Sequence, residues 1–334
     1  MNDYKTDILV IGAGPAGLFS VFEAGMMGYK CIVVDSLPQT GGQLTELYPE
    51  KPIYDIPGFL TILAGELAAN LKEQADQFKP TYLLNEMVEG LEKTEEGFVA
   101  TAGENKIECK VVFIAAGGGM FSPRKPPLEN LSDYENKSVF YAVKNKQQFT
   151  GKKVAIAGGG DSAVDWAVEL SPIAKEVHVI HRREDFRAAE ETVAKMHELA
   201  KNGNVKLHTS NQLKELHGEN GELSSITLAS IKEDDKNLKA DSLLCFFGLK
   251  PTLGALENWG LTIEKKKVIV EPVTMKTNVN GILCFGDMAH YEGKMELILT
   301  GFAEAANACK TAQHIINPEK KFKLIYSTSK GVNG

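Results

Sequence analysis

Hydrophobic positions along the chain fall in short blocks, and the blocks repeat in a fixed order. Residues 7–11 (DILVI) form an apolar run of strand length, 18–27 carry helical periodicity, and 31–34 form a second run that ends at Asp35. Between the first run and the helix stand Gly12, Ala13, Gly14, Pro15, Ala16 and Gly17. Strand, glycine turn, helix and strand is the order of a βαβ unit with parallel strands. The order recurs from residue 153: KVAIA, then Gly158, Gly159, Gly160, Asp161, Ser162 and Ala163, a helical stretch over 164–170, and a strand over 176–180. Three further blocks stand apart from these copies. Residues 111–118 (VVFIAAGG) run from a buried strand into small residues, 281–286 form a short strand just before Asp287, and 301–316 are helical. Runs such as 97–101 predict a small antiparallel addition between residues 88 and 110.

The glycine spacing brings in chemistry. In G-x-G-x-x-G, Gly12 permits the tight turn, Gly14 lets a pyrophosphate approach the backbone, and Gly17 lets helix and strand pack closely. The helix N-terminus then supplies N–H groups for the phosphate charge. Asp35 lies 18 residues past Gly17, where a carboxylate accepts from ribose hydroxyls. The second copy reads G-x-G-x-x-A at Gly158, Gly160 and Ala163, and the same count of 18 lands on His181, followed by Arg182, Arg183 and Arg187. A carboxylate there would repel the 2′-phosphate of NADP, whereas guanidinium groups bind it with paired charged hydrogen bonds. The second site therefore favours NADP(H), and the first calls for a different dinucleotide. In flavoproteins of this general design, an Asp placed like Asp287 accepts from the ribityl chain of FAD, and the following helix points its positive end at the flavin.

FAD-type signals at both ends with an NADP-type copy between them predict one domain inserted into another. The expected fold is α/β, with two Rossmann-like, three-layer β/β/α nucleotide-binding domains. Residues 1–118 and 251–334 would form the FAD domain and 119–250 the NADP domain. Composition narrows the picture. A length of 334 residues suits two domains, and a net charge of −7 argues against nonspecific nucleic-acid or membrane binding. The longest apolar stretch, 111–121, is interrupted by three glycines and falls short of the roughly 18 residues of a membrane span. With Asp3 and Asp7 in a chain that enters a strand pattern at once, no secretory leader is expected. Five unpaired cysteines suit the reducing cytoplasm, and seven histidines without ligand spacing predict no metal.

Several segments carry a family resemblance over nearly the whole chain. Gly41-Gly42-Gln43-Leu44, residues 47–51 (LYPEK), 158–166 (GGGDSAVDW), His181-Arg182-Arg183, Trp259-Gly260-Leu261, residues 291–294 (YEGK) and the tail 326–329 (YSTS) resemble the low-molecular-weight thioredoxin reductase superfamily. Within it, the sequence is most similar to the thioredoxin-reductase-like ferredoxin/flavodoxin–NADP reductases. One departure from thioredoxin reductase decides the chemistry: the slot of its Cys-x-x-Cys reads Tyr141-Ala142-Val143-Lys144 here, which excludes dithiol exchange at that site.

The resemblance implies FAD and NADP(H) as cofactors. It implies FAD contacts at Gly12, Gly14, Pro15, Gly17, Asp35 (adenosine ribose), Gln43 (flavin region), Val88 (adenine, by its backbone), Phe121 (dinucleotide edge), Asp287 (ribityl) and Thr328, the last in a C-terminal extension. Tyr48 would stack on one flavin face and Tyr326 would cover the other. NADP contacts would come from Gly158, Gly160, Asp161, Ser162, Ala163, His181, Arg182, Arg183 and Arg187. The implied reaction is hydride transfer between NADPH and FAD, then single-electron transfer to ferredoxin or flavodoxin, by a homodimer and without an acid or base from the protein. Two alternatives remain open at this level: an NADPH-dependent flavin reductase or diaphorase acting on quinones or iron chelates, and a nonenzymatic NADP(H)-reading redox sensor.

Overall fold

A computed structural model describes residues 2–230, 234–321 and 328, with 120–122, 249 and 251 described by backbone alone. The chain divides into two compact units, Met1–Phe121 with Pro251–Gly334, and Ser122–Lys250.

The first unit is built on a five-stranded parallel sheet whose spatial order is Ile282–Cys284, Val111–Ile114, Ile8–Ile11, Cys31–Asp35 and Thr81–Leu84. Ile8, Leu9 and Val10, and Val111 through Ile114, are fully buried, because they pack in one core with helix residues such as Val21, Ala24, Ala305 and Ala308 and with Phe98, Ala100 and Ile107 of the added antiparallel strands. Burying each such side chain is worth about 1.5–3 kcal/mol, so the apolar runs drive the sheet while the glycine turns between them shape its edge. The first fingerprint helix, Pro15–Met26, packs against Ala64–Asp76 and against the C-terminal helix, Ile298–Ile316. Gly25 serves this packing: a side chain there would enter the Phe78 ring. The expected antiparallel addition comprises Val88–Lys93, Phe98–Ala102 and Asn105–Cys109. A strand not foreseen, the polar Asn2–Lys5, joins its edge in parallel with Asn105–Cys109.

The second unit has the same plan. Val139–Phe140, Ser242–Phe246, Lys153–Gly158, Glu176–His181 and Val205–Thr209 form a five-stranded parallel sheet in that order. In both units the glycine-fingerprint strand is third, and the strand after it in that order ends at Asp35 in the first unit and at His181 in the second. Here too an antiparallel sheet is added, from Asn211–Glu219, Glu222–Ser230 and Lys236–Lys239. Both fingerprint helices begin earlier than their periodicity indicates, at Pro15 and Asp161. Their first turns are glycine, proline and polar residues, which carry no apolar stripe.

The two chain segments that connect the units, Met120–Pro123 and Leu249–Thr252, pair as a two-stranded ribbon. The Arg124 N–H donates to the Gly248 carbonyl at 3.0 Å.

Candidate functional site

At the carboxyl ends of the parallel strands in the first unit lies a cavity of about 340 Å³, the position where open α/β sheets bind ligands. Its walls include Gly12, Gly14, Pro15, Asp35, Gln43, Tyr48, Val88 and Asp287. The three fingerprint glycines serve separate needs. Gly12 has φ +106°, and a Cβ there would lie 2.4 Å from the Ala115 carbonyl oxygen; a Cβ on Gly17 would lie 2.0 Å from the Gly12 carbonyl oxygen. These two let strand, turn and helix close on one another. A Cβ on Gly14 would meet no described protein atom within 4 Å, so packing among the described residues does not require a glycine there, whereas the close approach of a ligand to the backbone does.

Two helix N-termini border this space. The Pro15–Met26 helix begins after Gly14 and the Ile298–Ile316 helix after Leu297, and neither has a side-chain cap. Leu297, Ile298 and Gly301 line the cavity. Close contact between these helix starts requires small residues: a Cβ on Gly301 would lie 3.3 Å from that of Ala16. Uncapped first-turn N–H groups are the usual partners of a phosphate or of charge building up on a ring.

Asp35 accepts the Ala13 N–H at 2.6 Å on one oxygen and the Leu37 N–H at 2.9 Å on the other. These bonds fix the carboxylate at the cavity wall and leave lone pairs for the hydroxyls of a ligand. Burial pushes its pKa up, and the two N–H groups oppose that. Asp287 is also pushed up, first by burial and then by Glu296, yet its carboxylate has no hydrogen-bond partner among the described residues. An orphaned, largely desolvated acceptor facing a cavity fits a ligand hydroxyl. Tyr48 lines the same cavity, and burial, then the Asp287 charge, raises its phenol. Gln43 begins the short helix Gln43–Glu46, and its side-chain amide lies 3.6 Å from a Cβ built on Gly117. Val88 is buried at the wall. The Phe121 side chain and Tyr326 lie outside the described residues, as do the chain neighbours of Thr328, which is exposed.

The sequence reading missed the support of the Gly286-Asp287 turn. Glu304, on the C-terminal helix, accepts from the Gly286 N–H at 2.8 Å, from the Tyr291 hydroxyl at 2.7 Å and from the Lys294 ammonium. An acid in the apolar stripe of residues 301–312 was the available signal.

In the second unit, Gly158 and Gly159 are tight and Gly160 is open. A Cβ on Gly158 would lie 2.6 Å from the Phe246 carbonyl oxygen and 2.9 Å from the Cβ of Ala163; one on Gly159 would strike the His181 ring. A Cβ on Gly160 finds only the Arg187 carbonyl oxygen, at 3.8 Å. The Asp161–Leu170 helix starts there without a side-chain cap. Its first residue, Asp161, accepts the Ala189 N–H at 3.0 Å, and the Arg187 N–H donates to the Gly159 carbonyl at 2.7 Å. The arginine loop is thereby tied to the glycine turn. Ser162 is exposed on the first helical turn. His181 stacks on Phe186 with ring centroids 5.1 Å apart. Its imidazole is held below the usual range by burial first and then by Arg182, Arg183 and Arg187. Those three arginines are exposed and make no ion pair among the described residues, so their charge is available to an anion.

All five cysteines are free and buried. Burial pushes the thiols of Cys31 and Cys109 up to about 12 and raises those of Cys245, Cys284 and Cys309 further. At position 141, Tyr141 donates to Glu135 at 2.6 Å. Among the described residues no group of His, Cys, Asp or Glu could hold a metal ion, and no helix is long and apolar enough to cross a membrane.

Comparison with known proteins agrees with this geometry. A protein named ferredoxin–NADP reductase from Wolbachia pipientis wMel is 49% identical over 99% of this chain and 98% of its own length. One of the same name from Rickettsia bellii is 48% identical over 98% and 99%. Among solved structures, thioredoxin reductase from Lactococcus lactis superposes with a TM-score of 0.78 at 23% identity, covering 93% of this chain and 99% of the other. At that identity the likeness shows the fold, two Rossmann-type domains in a mixed α/β chain. Residues 6–312 match the family described as pyridine nucleotide-disulphide oxidoreductase, and the chain belongs to that family.

Proposed function

We propose that the chain is an NADPH-dependent flavoenzyme of the ferredoxin–NADP reductase type, with FAD in the first unit, NADP(H) on the second, and ferredoxin or flavodoxin as electron acceptor. One observation carries this: at the same position after the two fingerprints stand Asp35, fixed by two N–H groups, and His181 with three arginines that have no ion-pair partner among the described residues. A carboxylate suits free ribose hydroxyls and repels a phosphate; guanidinium groups select the 2′-phosphate. On this reading residues 1–118 and 251–334 are the FAD domain and 119–250 the NADP domain.

Bound FAD would supply acceptance of a hydride and release of single electrons, which no side chain of this protein provides. The chain's own residues bind and orient. Gly14 and the first turn after Pro15 offer N–H groups to the pyrophosphate, Asp35 holds the adenosine ribose, and Val88 borders the adenine. Gln43 and Tyr48 border the flavin, and Asp287 accepts from the ribityl hydroxyls. In the second unit, Gly160 and the helix start at Asp161 and Ser162 take the NADP pyrophosphate. A proton-transfer residue is not required, because hydride transfer depends on contact and alignment. The buried, protonated thiols exclude disulphide reduction despite the family's name. Support for ferredoxin comes from the relatives' names; flavodoxin, a homodimer, a flavin cover at Tyr326 with Thr328, and a cytoplasmic location belong to the same proposal.

The test is NADPH-driven cytochrome c reduction by the purified protein, with and without ferredoxin. Saturable, salt-sensitive stimulation by ferredoxin is expected. Rapid flavin reduction without any stimulation by ferredoxin or flavodoxin would make the protein a small-molecule diaphorase, and no reduction by NADPH would make it a sensor.

A further inference from the structure

Glu304 and Lys294 form a buried ion pair beside the cavity, with side chains 3% and 4% exposed. Neither residue touches the cavity, yet each is tied to something that does. One Glu304 oxygen takes the N–H of Gly286, which lines the cavity next to Asp287. The other takes the Tyr291 hydroxyl and the Lys294 ammonium, and that ammonium also sits 5.1 Å above the Tyr291 ring. Glu304 itself lies one helical turn after Gly301, at the cavity-lining start of the C-terminal helix.

We infer that Glu304, with Lys294 and Tyr291, is a positioning residue that locks the Gly286-Asp287 turn to the start of the C-terminal helix. The Asp287 carboxylate, which has no hydrogen-bond partner among the described residues, and the helix's first-turn N–H groups, which no side chain caps, then face the cavity in a fixed relation. Gly286 makes the lock possible: its φ of +69° and lack of a side chain bring the turn against Ala16 and the helix. The pair also has an electrostatic role. Asp287 feels both charges, Lys294 favouring its anion and Glu304 opposing it, and a desolvated pair is weakly screened. Removing one member leaves a net charge near the flavin site, and a flavin gains negative charge on reduction.

This inference rests on FAD occupying the cavity, so the experiment begins with wild-type apoprotein titrated with FAD and followed by flavin fluorescence. Failure of the wild type to bind would sink that occupancy and this inference with it. Given wild-type binding, Glu304→Gln is expected to weaken FAD affinity by about tenfold to a hundredfold, the loss of charge-assisted bonds to the turn. The flavin midpoint potential is expected to rise in Glu304→Gln and fall in Lys294→Met, with the double variant nearer to wild type than either. A purely structural role would not give opposite signs. Wild-type affinity and potential in folded Glu304→Gln and Lys294→Met would overturn the assignment. Should those variants not fold, Tyr291→Phe, which keeps the ion pair, is read instead: a measurably weaker FAD complex supports the lock, and unchanged affinity refutes it.

Discussion

A methyl group added to Gly12 would sit 2.4 Å from the Ala115 carbonyl oxygen at a φ of +106°, whereas one added to Gly14 would meet no described protein atom within 4 Å. Two residues apart, the glycines therefore separate folding from binding. Gly12→Ala is expected to cost about 2–4 kcal/mol of stability, from the left-handed backbone and the collision together. Gly14→Ala should unfold within about 1 kcal/mol of wild type and bind FAD about tenfold more weakly or worse; urea melts and flavin titration check the pair. At the same scale, replacing both Arg182 and Arg183 with Ala removes two charged donors that no carboxylate among the described residues competes for. The KM for NADPH should rise about tenfold to a hundredfold, with that for NADH nearly unchanged. Equal effects on both cofactors would mean that the 2′-phosphate lies elsewhere.

Among the elements, the edge of the second parallel sheet carries a titratable ladder. His178 is buried, 3.1 Å from the His208 ring and 3.2 Å from Glu176, which also pairs with Lys153 and Lys206. His208 is pushed down to about 4, by burial and then by His178, Lys236 and Lys206; His178 is lowered too, mainly by burial. In both cases the unfolded chain takes up protons before the folded one does. Stability should therefore be intact above about pH 6.5, the ordinary histidine value, and decline as pH falls toward about 4, by roughly 1–3 kcal/mol. His208→Gln should flatten that decline in unfolding curves recorded across the interval, and an unchanged slope would show that His208 is not its source. The elements also show what the sequence makes legible. Residues 7–11 and 153–157 announce central parallel strands because burial on both faces leaves an unbroken apolar run. The polar strand Asn2–Lys5 is stabilised by pairing with Asn105–Cys109, about a hundred residues away, and pairing at that distance leaves no local pattern. The added sheet of residues 211–239 is by contrast a local meander whose first hairpin turns at Asn220-Gly221, a legible signal that the glycine fingerprints overshadowed. In the site, glycines and Asp35 were legible through fixed spacing, whereas Glu304 works through partners on a separate loop.

For the molecule as a whole, the family's name and the thiol chemistry part company. Five cysteines, all buried, with thiols held protonated by desolvation, are expected to resist Ellman's reagent in the native protein and to react fully once it is unfolded. Alkylating agents should likewise leave NADPH oxidation intact; rapid loss of activity on treatment would point to a thiol role that the burial denies. The two units repeat one strand order, yet one interrupts the other in the chain, and the ribbon at the crossings shows how that interruption is tolerated. With the Arg124 N–H bonded to the Gly248 carbonyl at 3.0 Å, entry and exit of the second unit stand side by side, the arrangement that lets an inserted domain be removed or exchanged. Replacing residues 125–247 with a short glycine bridge should leave a shortened protein that still folds, turns yellow with FAD and has lost reduction by NADPH. Conversely, a foreign nucleotide-binding module with adjacent termini could be grafted between the same two residues, changing the electron donor without touching the flavin.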